Sequence, residues 1–423
     1  VGYLYPPPRL GEGAGEKPTG SVMKFLNEKN KILAGLTVCH LFNDFYNWVL
    51  PPLLPAVIRT FGLSYFQVGF LSFTNIFIQA LLQPAMGYFA DRHRRRKIVL
   101  MLGFALYVIG IASLGLASSY WIFLLLCLVI GVGGSAYHPQ STNFLSKYFR
   151  ENQGKAQGIH GIGGSLGFFL APMAVTFLVA TFGWRKAVLL LVIPGIFMIG
   201  LIWKLLEEPE ARGNRGFVRN LPASLILLSI VYGMVSMVHS GFTTFLPTFY
   251  VEKGSTLFQA GVSTSYMFIA GLVAQPIGGF LFDKFGGRLV FLTAFGFLTV
   301  FTFAFLTSTG LVALLFSVGV GFSALSLFPL GMAFAAELTK DERVGMTVGL
   351  VFGSAQAFSS FSPILIGYIA DRTGLGNALF SLTAIAFLGM VLSWFLPERR
   401  KAVVSPPWSA IRRPSSQQPI DHG

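Results

Sequence analysis

The sequence predicts an all-α membrane protein of twelve transmembrane helices, arranged as two six-helix halves related by a pseudo-two-fold axis. Three observations predict it: a composition too apolar for a water-facing surface, twelve apolar segments of membrane-spanning length, and an internal repeat. Of 423 residues, 53% are hydrophobic and 11% charged, where a soluble domain carries roughly a quarter charged residues. So few charges cannot cover a soluble surface of this size, which excludes a soluble multi-domain enzyme.

Spanning a bilayer takes about 20 apolar residues. Segments of that kind fall at 32–58, 66–90, 98–117, 119–145, 156–181 and 186–205 (spans 1–6). They resume at 221–250, 258–282, 289–308, 310–337, 345–370 and 376–396 (spans 7–12). The polar stretch 207–220 is the linker between an N-terminal half, 32–206, and a C-terminal half, 221–397. Residues 1–31 and 398–423 read as cytoplasmic tails. Within the first tail, residues 1–22 have no apolar core for a signal peptide and read as disordered, with Met23 an alternative start. Cys39 and Cys127 both lie in apolar runs, too few and too far apart for a disulfide framework or a zinc site.

The net charge of +14 would suggest nucleic acid in a soluble protein. Position decides otherwise. With both termini inside, all but five of the 31 Lys and Arg (Arg59, Arg185, Lys186, Lys253 and Arg372 are the exceptions) fall on inner segments, and none falls within a span except Lys186 and Lys204 at the two ends of span 6. That is the bias of a multi-pass inner or plasma membrane protein with cytoplasmic ends, and it removes the case for a nucleic-acid partner.

The halves repeat. At an offset of 192, Leu54-Pro55 recurs as Leu246-Pro247, Gln83-Pro84 as Gln275-Pro276, Gly87 as Gly279, Asp91 as Asp283, and Arg92 as Lys284. Gly158 and Pro172 recur at 191 as Gly349 and Pro363. A parallel six-helix repeat turns about an axis normal to the membrane.

The loop after span 2, Gly87 to Arg96, resembles the G-x3-D-R/K-x-G-R-R/K signature of the major facilitator superfamily. His40-x-x-Asn43-Asp44, Tyr137-His138-Pro139, Ala336-Glu337-Leu338 and Gly367 to Arg372 resemble its fosmidomycin-resistance branch of drug:proton antiporters. The resemblance covers almost the whole chain after Met23. It implies alternating access, proton-driven efflux, and a cytoplasmic latch made by Gly87, Asp91 and Arg92 with Gly279, Asp283 and Lys284. Gly367-x3-Asp371-Arg372-x-Gly374 echoes the loop signature at the outer end of span 11. Departures are visible: Arg94 stands where the signature has Gly, Gln140 where the branch has an acid, Cys127 near an expected arginine, and His160 about where a Pro is expected.

Each ionisable group inside the hydrocarbon needs a reason. Among 17 acids, Asp44 alone falls in mid-span. His40, Asn43, Asp44 and Asn47 stand at i, i+3, i+4 and i+7, along one helical face, and should face a cavity rather than lipid. Asp44 and His40 correspond to Ser236 and Tyr232 in the second half, so the acid is a feature of one half only. Asp44 and His40 are therefore the proton-coupling candidates; Asn43, Asn47, His138, Gln140, His160, Tyr232 and His239 are the substrate-cavity candidates. The structural alternative for Asp44 is a fixed acid holding spans together. Gln83 and Gln275 precede prolines and are expected to bridge the backbone groups those prolines free. Gly131, Gly133, Gly134, Gly163, Gly164 and Gly167 read as close-packing or bending sites.

The reading is a secondary transporter, not an enzyme. It exports a small amphipathic organic compound against protons, with the proton gradient as energy source, no cofactor and no bound metal. It works in the lipid bilayer as a monomer. Three alternatives stand beside it: uptake of a metabolite or organic anion, against which the absence of Lys and Arg inside the spans counts; transition-metal efflux using the intramembrane histidines; and a non-transport membrane enzyme or receptor, against which the lack of a nucleophile–base pair, metal spacing or nucleotide loop counts.

Overall fold

A computed structural model describes residues 20–149, 153–206, 222–339 and 344–398. Residues 1–19, the linker 207–221 and the tail 399–423 lie outside the described residues. All regular elements among the described residues are helices. Eleven stretches, from Tyr65–Ala90 to Leu375–Ser393, are long and apolar enough to cross a membrane. Helices Gly20–Asn47 and Leu50–Phe61 together make the twelfth, which is span 1.

Four spans are broken, and each break comes just before a proline. Span 1 breaks at Trp48-Val49 ahead of Pro51 and Pro52, and span 4 at Ser135-Ala136 ahead of Pro139. Span 6 breaks at Leu191 ahead of Pro194, and span 11 at Ser360 ahead of Pro363. A proline has no N–H for the preceding turn but suits the first turn of a new helix. In lipid the carbonyls freed this way need partners inside the protein. Tyr46 supplies one: its hydroxyl donates to the Leu191 carbonyl at 2.6 Å. Pro84, Pro172, Pro247, Pro276 and Pro329 are instead carried inside continuous helices.

The bundle has two ends. One carries the basic loop after span 2; the other, the far face, carries Glu252 and Asp371. Spans 5 and 8, and spans 2 and 11, make most of the contact between the halves. Toward the far face this contact is backbone-close and obeys the repeat. A Cβ at Gly69 of span 2 would fall on the Pro363 carbonyl of span 11, and one at Gly261 of span 8 would come within 2.6 Å of the Pro172 carbonyl oxygen of span 5. Toward the basic face, Cβ atoms added at Gly158, Gly279, Gly349 or Gly353 would meet nothing within 4 Å. The halves are thus closed at the far face and apart at the basic one.

At the end of the span 2 helix, Tyr65–His93, Arg94 adopts φ 53° and ψ 40°, the one non-glycine residue with positive φ among the described residues. Its N–H closes the helix on the Ala90 carbonyl. A left-handed residue in that role is the reason for a glycine there, and Arg94 holds the turn in spite of its side chain. Lys284 lies over the Phe285 ring of its own helix at 5.1 Å, Arg92 is exposed, and the Asp91 side chain lies outside the described residues. Replacing Arg94 by Gly should stabilise the protein by about 1 kcal/mol, the cost of left-handed backbone for a side-chain-bearing residue. Thermal unfolding of the purified protein in detergent checks it: the midpoint rises for Arg94→Gly and is unchanged or lower for Arg94→Ala.

Candidate functional site

The polar face of span 1 meets the glycine face of span 5. A Cβ at Gly163 would strike the Thr37 carbonyl, and one at Gly167 would lie 2.8 Å from the Phe45 nitrogen and 3.1 Å from the Asp44 Cβ. The middle glycine faces the functional groups themselves: a Cβ at Gly164 would stand 2.6 Å from Asp44 Oδ2 and 2.8 Å from His40 Nε2. Small residues let two helices approach this closely in a membrane, and here the approach seals a carboxylate between them.

Asp44 Oδ2 lies 3.2 Å from His40 Nε2. The opposite ring nitrogen, His40 Nδ1, lies 2.8 Å from the His160 carbonyl oxygen of span 5. A carbonyl oxygen only accepts, so Nδ1 carries a hydrogen. Nε2 then faces the carboxylate either with its own hydrogen, as imidazolium against carboxylate, or as a lone pair accepting from a protonated carboxyl. Both arrangements contain one mobile proton. Without it, two acceptors face each other at hydrogen-bond distance. The side chain of His40 is 15% exposed and that of Asp44 only 4%; the imidazole is therefore the face the pair presents to the space between the halves. Asn43 Nδ2 donates to Asp44 Oδ1 at 2.8 Å.

Aromatic and polar neighbours fix this pair. The His40 ring stacks on Tyr137 at 5.5 Å and lies 4.1 Å from the His160 ring and 5.8 Å from the His138 ring. Tyr137 donates to the Leu36 carbonyl at 3.1 Å and stands 3.4 Å from His160 Nε2. His138 reaches across to Phe352 of span 11 at 5.8 Å. One turn farther along span 1, Asn47 Oδ1 is 3.4 Å from both Gln79 Nε2 and the Tyr107 hydroxyl, which are 3.0 Å from each other. Tyr107 on span 3 is a member that sequence reasoning missed, because a lone tyrosine in an apolar helix has no pattern to mark it.

The other candidates separate from this cluster. His239, the repeat mate of Asn47, packs 5.2 Å from Trp48, among Phe168, Phe268 and Phe328. That group joins both halves beside the span 1 break, and the ring nitrogens Trp48 Nε1 and His239 Nε2 have no hydrogen-bond partner there. Tyr232 donates to the Phe328 carbonyl inside the second half. Gln140 turns away, its Nε2 donating to the Met86 carbonyl of span 2 at 3.2 Å. Gln275 bonds Ser165 of span 5 at 3.1 Å, so it joins the halves rather than bridging a freed backbone group, and Gln83 Nε2 has no hydrogen-bond partner. Among the described residues, no three His, Cys, Asp or Glu side chains form a group fit for a metal ion.

A sequence model described as the Major Facilitator Superfamily matches residues 36–325 and again 228–420. The chain belongs to that superfamily. The two matches start 192 residues apart, the offset of the internal repeat. Members of the superfamily are membrane transporters, and this chain is one, not an enzyme. It is 27% identical over 393 residues to the fosmidomycin resistance protein of Escherichia coli (strain K12), covering 87% of this chain and 93% of that one. It is 26% identical over 392 residues to a probable nitrate/nitrite antiporter, NarK1, of Thermus thermophilus, covering 82% and 88%. In fold it is similar to a bacterial homologue of the human lysosomal transporter Spinster in an inward-facing, occupied conformation. The TM-score is 0.74 at 17% identity, over 90% of this chain and 97% of that one. It is also similar to the xylose transporter XylE of E. coli in its inward open conformation, with a TM-score of 0.75 at 15% identity, over 88% and 98%.

Gly164→Ala should separate His40 from Asp44 without removing either. Transport is expected to fall at least about tenfold, the loss of one charge-assisted hydrogen bond, while expression and the elution profile of the purified protein stay normal. Undiminished transport in Gly164→Ala would show that this contact does not matter.

Proposed function

We propose that this transporter is a proton-coupled antiporter that exports a small amphipathic organic compound, with the His40–Asp44 pair as its proton site. The single observation that carries the reading is the hydrogen-bond parity of that pair. The His160 carbonyl fixes a hydrogen on Nδ1, so the Nε2–Oδ2 contact is satisfied only when one further proton is present. Loss of that proton leaves two buried acceptors opposed, which is costly in a low-dielectric interior. A site whose internal packing depends on one proton can tie protonation to the arrangement of spans 1 and 5, which is what coupling requires.

In the proposed cycle a proton from outside loads the pair through His40, and loading favours substrate release outward and return to the state open at the cytoplasmic face. Substrate arriving from the cytoplasm meets the wall formed by His40, His138, Trp48 and His239. That wall is made of aromatic rings whose polar atoms are ring nitrogens, and the spans bring no Lys or Arg to it. Such a lining suits an amphipathic compound better than a small inorganic anion. The similarity to the fosmidomycin resistance protein supports export, and the inward-facing conformations of the similar solved structures support placing the open face toward the cytoplasm. Metal efflux gains no support, since both nitrogens of His40 are engaged by Asp44 and the His160 carbonyl.

Asp44→Asn should abolish concentrative transport in proteoliposomes under an imposed pH gradient. It should retain exchange of labelled for unlabelled substrate at equal concentrations on both sides. Accumulation driven by the gradient in Asp44→Asn would sink the coupling role. Substrate movement in the same direction as the proton would make the protein a symporter.

A further inference from the structure

We propose that Asp371, at the far-face end of span 11, is a positioning residue for transport. Its carboxylate, seated on the first turn of span 2, holds the far face closed in the state described here.

The first turn of any helix leaves N–H groups without partners. The span 2 helix solves this in two parts. Its N-cap Ser64 forms a capping box with Gln67: the Ser64 hydroxyl accepts from the Gln67 N–H, and Gln67 Oε1 accepts from the Ser64 N–H at 2.9 Å. The two N–H groups between them, of Tyr65 and Phe66, are satisfied from the opposite half. Asp371 Oδ1 accepts from Tyr65 at 2.7 Å and Oδ2 from Phe66 at 3.1 Å. An anion accepting from a helix N-terminus also gains from the helix dipole.

The surrounding contacts bring the carboxylate to that point. Gly367, one turn before Asp371, lies against Tyr65, where a Cβ would fall on the carbonyl. Gly69, one turn into span 2, lies likewise against Pro363. The Tyr65 phenol donates to Glu252 at the end of span 7, so one residue of the first half is held by two spans of the second.

The repeat shows that this device is not needed to build the fold. Span 8 starts with the same capping box, Thr256 with Gln259, and its Gly261 packs on Pro172 of span 5 as Gly69 packs on Pro363. Yet the positions 192 and 191 residues before Asp371 are Val179 and Ala180. The helix packing is kept in both copies and the carboxylate in one. Asp371 and Glu252 are also exposed to solvent. Water can replace their bonds when the halves part, and the closure is therefore strong enough to bias the state and weak enough to release it. This assignment is independent of what is carried and of how protons drive it.

Two single-cysteine reporters in a protein with Cys39 and Cys127 replaced by alanine test it. One is Phe245→Cys, a buried position beneath the Tyr65 ring; the other is Phe352→Cys, a half-buried position that meets His138 of the first half. Maleimide labelling rates are read on the purified protein in nanodiscs, where both faces are accessible. Asp371→Ala should raise labelling at Phe245→Cys about tenfold, the equilibrium shift expected from losing these charge-assisted hydrogen bonds, and should lower it at Phe352→Cys. Gly367→Ala should act in the same sense, and Asp371→Glu should fall between. Opposite changes at the two reporters mark a shift between states. Unchanged rates at both reporters in Asp371→Ala and Gly367→Ala would overturn the assignment, and so would a rise at both together, which marks loss of structure.

Discussion

A carboxylate in the middle of a membrane has to be neutralised where it stands, and the arrangement around Asp44 follows from that constraint. A lone ionised acid there costs at least about 3 kcal/mol. His40 sits one turn away on the same helix face and contacts the acid at 3.2 Å. The imidazole in turn needs its second nitrogen satisfied, which the His160 carbonyl does at 2.8 Å. That bond joins span 1 to span 5 through a group that cannot change its role, and it leaves one hydrogen to be placed in the Nε2–Oδ2 contact.

The packing of the first half is built to admit this pair. Gly163, Gly164 and Gly167 are spaced so that span 5 lies flat on the polar face of span 1, with no side chain between backbone and carboxylate. The breaks in spans 1, 4, 6 and 11 also lie near the midline, each ahead of a proline. The span 1 break follows Asn47 directly and turns Trp48 toward His239 and Phe268, putting an aromatic contact between the halves one turn from the His40–Asp44 pair. Irregular backbone at this depth is tolerated where it is buried in protein or lines a cavity.

The two copies of the repeat have kept a common frame and diverged in charge. Glycine-on-carbonyl contacts at Gly69 and Gly261 are equivalent, as are the capping boxes at Ser64 and Thr256. Asp44 has only Ser236 as its mate, and His40 only Tyr232. The symmetric elements are packing contacts and caps; Asp44 and Asp371 are where one half differs from the other.

Much of this was legible in the chain. Helix number, the two halves and the repeat follow from apolar length and offset, because in a bilayer every backbone group must be satisfied within a helix and little else fits. The helix periodicity placed His40, Asn43, Asp44 and Asn47 on one face, and the packing role of the span 5 glycines could be read from their spacing. What the sequence could not decide was rotation and partner. Gln140 was a cavity candidate by position and turns to Met86 by rotation; Gln275 was a backbone bridge by its proline and pairs with Ser165 across the halves; Tyr107 carried no signal at all. The reason is physical. Periodicity fixes which residues share a face of one helix, while the face a neighbour presents depends on crossing angle and register, set by contacts distant in sequence. The sequence by itself determined a twelve-helix carrier with one acid in its midst. Only the tertiary structure decided that a carbonyl of span 5 fixes the hydrogen of His40, and that Asp371 closes on a helix end 306 residues away.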